Sequence, residues 1–124
     1  MAKHNEIGQW GEQVAVDLLV SRGYAIVERN AKVGHYELDI VAMKGDRMVF
    51  VEVKTRSSEL DDPIDAIDRK KIRYLCRAAD AFMRARQLPH EVQFDVVAVI
   101  GNPSGDYTIR HYPDAFLPPL GGAR

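Results

Sequence analysis

Apolar residues along the chain alternate between helical and strand-like spacing. Over residues 7–22, Ile7, Trp10, Gly11, Val14, Ala15, Leu18 and Leu19 fall on one side at ~100° per residue, which predicts an amphipathic helix. Gly23 supplies its stop, since glycine accepts the left-handed backbone that often ends a helix. Residues 24–29, 37–43 and 47–54 alternate as strands do. The last two flank Lys44-Gly45-Asp46, a tight-turn signature that predicts an antiparallel hairpin. Asp62-Pro63 predicts a second helix, with Asp62 as N-cap and Pro63 at the first helical position. It extends to about residue 87 with an apolar stripe of Ile64, Ile72, Leu75, Cys76, Ala79, Phe82 and Met83. Residues 92–100 form a nearly continuous apolar run, as expected of a strand covered on both faces, and residues 107–112 alternate as an outer strand. The order αβββαββ predicts an α/β domain, one mixed sheet flanked by helices.

The 124 residues suit one domain, expected over residues 1–116, with a Pro/Gly-rich tail over 117–124. Hydrophobic and charged fractions of 46% and 28% exclude disordered and collagen-like classes. No apolar run approaches the ~18 residues of a membrane span, and the first residues have no apolar signal core. Cys76 is the lone cysteine, so no internal disulfide forms and a reducing, cytoplasmic setting is expected, with the thiol in the core.

The net charge of −1 changes the picture only when divided. Residues 36–62 carry four basic and seven acidic groups, whereas residues 63–90 carry seven basic and three acidic. Arg69, Lys70, Arg73, Arg77 and Arg84 cluster opposite the apolar stripe of the second helix. Such a stripe is either a solvated face, partly paired with Asp65 or Asp80, or a surface for phosphate contacts.

Chemistry concentrates in the hairpin. Period-2 geometry puts Glu37 and Asp39 on one face of their strand, and Glu52 and Lys54 on one face of theirs. A turn at Gly45-Asp46 sets Asp39 opposite Glu52 and Glu37 opposite Lys54. A turn at Lys44-Gly45 sets Glu37 opposite Glu52 with Asp39 diagonal. Either register gathers three carboxylates and one ammonium beside the apolar Val49, Phe50, Val51 and Val53, where like charges are costly. Mg2+ relieves that repulsion, taking carboxylate oxygens while keeping several waters, and it can stabilise charge on a phosphoryl oxygen. Lys54 is then placed to hold an attacking water or the scissile phosphate, as in a metal-dependent phosphodiesterase. The plain alternative is a solvated strand face with a Glu37–Lys54 ion pair. Glu12 lies at the edge of the first helix's apolar side, where spacing allows either a sheet-facing acid or a surface one. His35 sits at the mouth of the hairpin, within reach of a substrate, and Trp10 reads as a core anchor.

The blocks G-x-x-G-E (Gly8 to Glu12), G-Y-x-I-x-x-R-N (Gly23 to Asn30), E-L-D-I-V-A (Glu37 to Ala42) and V-F-V-E-V-K-T-R (Val49 to Arg56) resemble the YraN family of uncharacterised bacterial proteins. F-D-V-V-A (Phe94 to Ala98) and D-A-F (Asp114 to Phe116) extend the match over nearly the whole chain. That family is similar to the restriction-endonuclease-like PD-(D/E)xK superfamily and, within it, to the archaeal Holliday-junction resolvases. The resemblance implies Asp39 and Glu52 as metal ligands, helped by the Val53 carbonyl, with Mg2+ as the ion and Mn2+ as its substitute. It implies Lys54 as catalytic lysine, Glu12 as the first-helix acid, Glu37 as the acid of a G-E-[IL]-D block, and Lys70 as a second-helix lysine reaching a phosphate. DNA, branched DNA in particular, is the implied partner, and a homodimer the implied assembly. The chain departs from the pattern in having Leu38, not proline, before Asp39, and Gly34-His35-Tyr36 where the family has Gly-Gly.

On this reading Arg69, Lys70, Arg73 and Arg77 contact the DNA backbone, and Thr55 and Arg56 touch the strand near the cut. Two rivals share the sequence: a nucleic-acid-binding or scaffolding protein that keeps the nuclease fold without turnover, and a protein–protein adaptor.

Overall fold

In a computed structural model describing residues 2–57 and 67–117, the sheet is organised by its alternating apolar residues. Helix α1 (Ala2–Ser21) leads into strands β1 (Ala25–Val33), β2 (Tyr36–Lys44) and β3 (Arg47–Arg56). Helix α2 (Arg69–Ala85) follows, then β4 (Glu91–Gly101) and β5 (Tyr107–Tyr112). The five strands lie in sequence order, antiparallel except for the parallel pair β3–β4, which α2 connects. Successive residues point to opposite faces. Val49 and Val51 accordingly join Ala15, Val16 and Leu19 of α1 in one core, while Met48 and Phe50 join Leu75, Ala78 and Phe82 of α2 in another. Every residue of β4 from Gln93 to Ile100 is buried, which is why that strand reads as an unbroken apolar run.

The expected order αβββαββ holds, with three adjustments. β1 runs to Val33, four residues past its predicted end, and joins β2 through a tight turn at Gly34-His35. Its alternation is hidden by a register shift between Ile26 and Glu28 and by Asn30, whose φ of 52° breaks the period. The Asp62-Pro63 helix start lies outside the described residues, but Ile67 and Asp68 are not helical. The N-cap is Asp68, whose Oδ1 accepts the Lys71 N–H at 2.9 Å, the same capping chemistry six residues later. Phe116 stacks on Phe94 (5.0 Å between centroids), so the sheet is covered almost to residue 117; residues 118–124 of the expected tail lie outside the described residues.

Two polar details lock this frame. Asp95, 1% exposed inside β4, accepts from Tyr24 Oη (2.6 Å), Gln93 Nε2 (2.8 Å) and the Asp114 N–H (3.0 Å), and lies 2.8 Å from His111 Nε2. A buried carboxylate persists only with such partners. Burial and the bond to Asp95 push the Tyr24 phenol well above its usual range. The second detail is Gly11, where α1 meets β3: a Cβ there would stand 2.3 Å from Thr55 Oγ1. Gly11→Ala is therefore expected to destabilise the fold by about 1–3 kcal/mol through overpacking. In chemical denaturation, a Gly11→Ala/Thr55→Ala pair should recover most of that loss; additive losses would show that the two residues do not press on each other.

Candidate active site

The carboxyl end of β3, the start of α2, the β1–β2 turn and the first turns of α1 all reach the same edge of the sheet. This follows from topology: α2 returns antiparallel to β3 before the parallel β4 begins, and β1 returns antiparallel to α1, so its turn into β2 lies at the end where α1 starts. The β2–β3 register is the Gly45-Asp46 one, from Lys44↔Arg47 to Ile40↔Val51. There it ends, although β3 continues to Arg56 beside β4. In the fork, Asp39 Oδ2 accepts the Val53 N–H at 2.9 Å, so a side chain takes up the amide that a longer ladder would have used.

Glu52 faces the α2 side of the fork and is 6% exposed. Its Oε2 lies 3.4 Å from Lys54 Nζ and 3.2 Å from Lys71 Nζ, which compensate a carboxylate that burial would otherwise penalise. Asp39 has less compensation. Burial first, then the charge of Glu52, raises its pKa from 3.8 to about 7; the Val53 N–H opposes this, and Glu52's hydrogen bond and Glu12's charge add to it. Glu12 faces inward, its Oε1 accepting from Arg29 Nε (3.2 Å) and Asn30 Nδ2 (3.0 Å). The left-handed Asn30 is what lets two consecutive β1 side chains reach the same acid. A pocket of about 380 Å³ opens here, lined by Gly8, Gln9, Glu12, Asn30, Asp39, Val53 and Thr55.

The other predicted residues are distributed unevenly. Glu37 stays exposed outside this pocket, and Lys54 pairs with Glu52, so the expected Glu37–Lys54 pair gives way to a neighbour on the same strand. Arg56 is half-buried, its guanidinium donating to the Thr55 carbonyl at 3.0 Å. Arg69, Lys70 and Arg77 are exposed and Arg73 half-buried on α2, while Arg84 is paired with Asp80. The α2 lysine that enters the site is Lys71, not Lys70. Its cue was available: Lys71, Leu75, Ala78 and Phe82 share one helix face, so a charge heads the apolar stripe and needs a buried partner.

The model of the uncharacterised protein family UPF0102 matches residues 11–99. The chain belongs to that family. A UPF0102 protein of Bacteroides thetaiotaomicron is 50% identical over 121 residues, 97% of this chain and 99% of its own. One from Dictyoglomus turgidum is 38% identical over 116 residues, 91% and 98% of the two chains. The YraN resemblance is thereby established, and UPF0102 lies in the restriction-endonuclease-like superfamily, in keeping with the nuclease-like sheet and its two flanking helices. Among solved structures, Pyrococcus furiosus SfsA in complex with Ca2+ aligns with 17% identity and a TM-score of 0.37, covering 83% of this chain and 60% of that one.

The donor set suits a small hard cation. Among the described residues no three His, Cys, Asp or Glu side chains are grouped to hold a metal. Mg2+ needs less, one or two carboxylates with water completing its shell, and Asp39 and Glu52 offer two that repel each other. No helix among the described residues is long and apolar enough to cross a membrane.

Proposed function

We propose that this UPF0102 chain is a Mg2+-dependent endonuclease that hydrolyses DNA phosphodiester bonds, with branched and junction DNA the forms to test first. The observation that carries the reading is the fork between β2 and β3, where two carboxylates that repel each other meet two ammonium groups beside an open pocket. Asp39 and Glu52, with the Val53 carbonyl, are the residues that would hold the cation. When bound, a divalent cation supplies Lewis-acid stabilisation of charge on the phosphoryl oxygens.

The rest of the chemistry belongs to side chains. In hydrolysis, water adds to phosphorus, the bond to the leaving sugar oxygen breaks, and that oxygen gains a proton. Lys54 sits on a rigid strand with its ammonium already at the acid site, and offers charge to the phosphate as negative charge builds there. Lys71 brings a second ammonium from α2. Glu12, oriented by Arg29 and Asn30, lines the pocket together with Asp39 and is placed to orient water. Thr55 lines the pocket, and Arg56 with the exposed Arg69, Lys70 and Arg77 and the half-buried Arg73 supplies backbone contacts that carry no base specificity.

The direct test incubates the purified chain with Mg2+ or Mn2+ and linear, flapped and four-way DNA. Cleavage of at least one form, stopped by EDTA, is the expected result. Salt-sensitive binding without cleavage of any form would instead favour the non-catalytic nucleic-acid-binding protein, and no binding to DNA or RNA the adaptor.

A further inference from the structure

The β1–β2 turn carries His35 into solvent, four residues before Asp39 in the chain. Its imidazole lies on the ring of Tyr36, with centroids 4.2 Å apart and planes 34° from parallel. Tyr36 in turn meets the Tyr74 ring edge-on at 5.4 Å. Tyr74 is fixed from two sides: its hydroxyl accepts the Glu37 N–H at 2.9 Å, and Lys71 Nζ stands 5.0 Å from its ring centre. The same ammonium lies 3.2 Å from Glu52. An unbroken line of contacts therefore runs from the buried carboxylate through Lys71, Tyr74 and Tyr36 to an exposed imidazole.

From this we infer that His35 and Tyr36 form a stacking platform for an unpaired nucleobase of the strand whose phosphate is held at Lys54 and Lys71. The inference rests on the nuclease reading and deepens it by naming a feature of the substrate. An aromatic face accepts any base, so the platform is tolerant of sequence, and stacking of this kind contributes about 1–3 kcal/mol per base. Bases within a continuous duplex already stack on their neighbours and present no free face. A flap, a frayed end or an opened junction centre offers an unpaired one, so the platform favours departures from continuous duplex structure. Charge complementarity favours nucleic acid as the occupant: cations lie along the inner side of the line, and Arg56 follows on β3.

The test measures binding of the full chain, in EDTA so that nothing is cut, to a labelled single-stranded oligonucleotide and to the blunt duplex of the same sequence. His35 is exposed, so His35→Ala should fold normally; Tyr36→Ala removes a ring packed on the core and is replaced by His35→Trp as second variant. The expected result is a roughly tenfold loss of single-strand affinity in His35→Ala, duplex affinity within twofold, and recovery in His35→Trp. The slope of affinity against salt should not change, because no phosphate contact is removed. Unchanged single-strand binding in His35→Ala, or an equal loss on both forms, overturns the platform and leaves the nuclease reading standing. Wild-type protein that binds neither form and cuts none overturns both.

Discussion

Lys54→Ala is expected to slow metal-dependent DNA cleavage by about 10²–10³-fold while the fold survives. Lys54 and Lys71 share one oxygen of Glu52, so either lysine alone leaves that buried carboxylate a partner. Stability should therefore fall little in each single variant and sharply in the double one, where Glu52 is left uncompensated. The rate effects should differ. Lys54 stands on a strand paired on its β4 side through Arg56, whereas Lys71 lies three residues from an N-cap and is shared with the Tyr74 ring. Lys71→Ala is accordingly expected to cost less than Lys54→Ala, below the ~10²-fold that losing a fully engaged donor costs. Single-turnover rates at saturating Mg2+, read beside thermal melts, separate the two. Equal rates in wild type and Lys54→Ala would remove this lysine from the chemistry.

The second large effect concerns Asp39 in the metal-free protein. Its pKa rises from 3.8 to about 7 on folding, so between these values the native chain keeps a proton that the unfolded chain has released. The associated stability is fully present below about pH 4 and is lost as pH climbs through about 7. Above that range the folded protein carries a carboxylate it holds at a cost, on the order of 4 kcal/mol at 1.36 kcal/mol per unit. Asp39→Asn keeps the shape and drops the charge. It should raise the melting temperature by several degrees in EDTA at pH above 7, and hardly at all at pH near 4. Mg2+ or Mn2+ should stabilise the wild type by about 2.7 kcal/mol at a hundred times its dissociation constant, and the variant far less. A variant that melts like wild type at both pH values would show that Asp39 is not held at a cost.

Much of this was legible in the residues. The hairpin signature at Lys44-Gly45-Asp46 and the alternation around it gave two registers, and the observed one sets Lys44 against Arg47. Apolar stripes located both helices, and the buried run of β4 needed no partner to be recognised. Period-2 reasoning failed where the backbone leaves the regular pleat. It carried Glu37 along with Asp39 onto one face, but the strands part beyond Ile40↔Val51, and only Asp39 turns into the fork to bond Val53. It ended β1 early because the left-handed Asn30 interrupts the pattern, at the place where two side chains must reach Glu12. Lys71 was hidden beside Lys70, since a run of charges reads as a solvated face unless each is tested against the apolar stripe below it. Within the Asp95 network, Tyr24 bonds a carboxylate 71 positions away, and no local pattern encodes such a pairing.

A divalent cation held by Asp39 and Glu52 is proposed to serve phosphodiester cleavage. The most direct test of that role is a Mn2+ titration of single-turnover cleavage on four-way, flapped and linear DNA, run in parallel on wild type and Asp39→Ala. Wild-type cleavage should rise with Mn2+ and saturate, while Asp39→Ala, folded by its melting curve, stays at the uncatalysed level throughout. Equal cleavage by both proteins, or none by either across the titration, would contradict it.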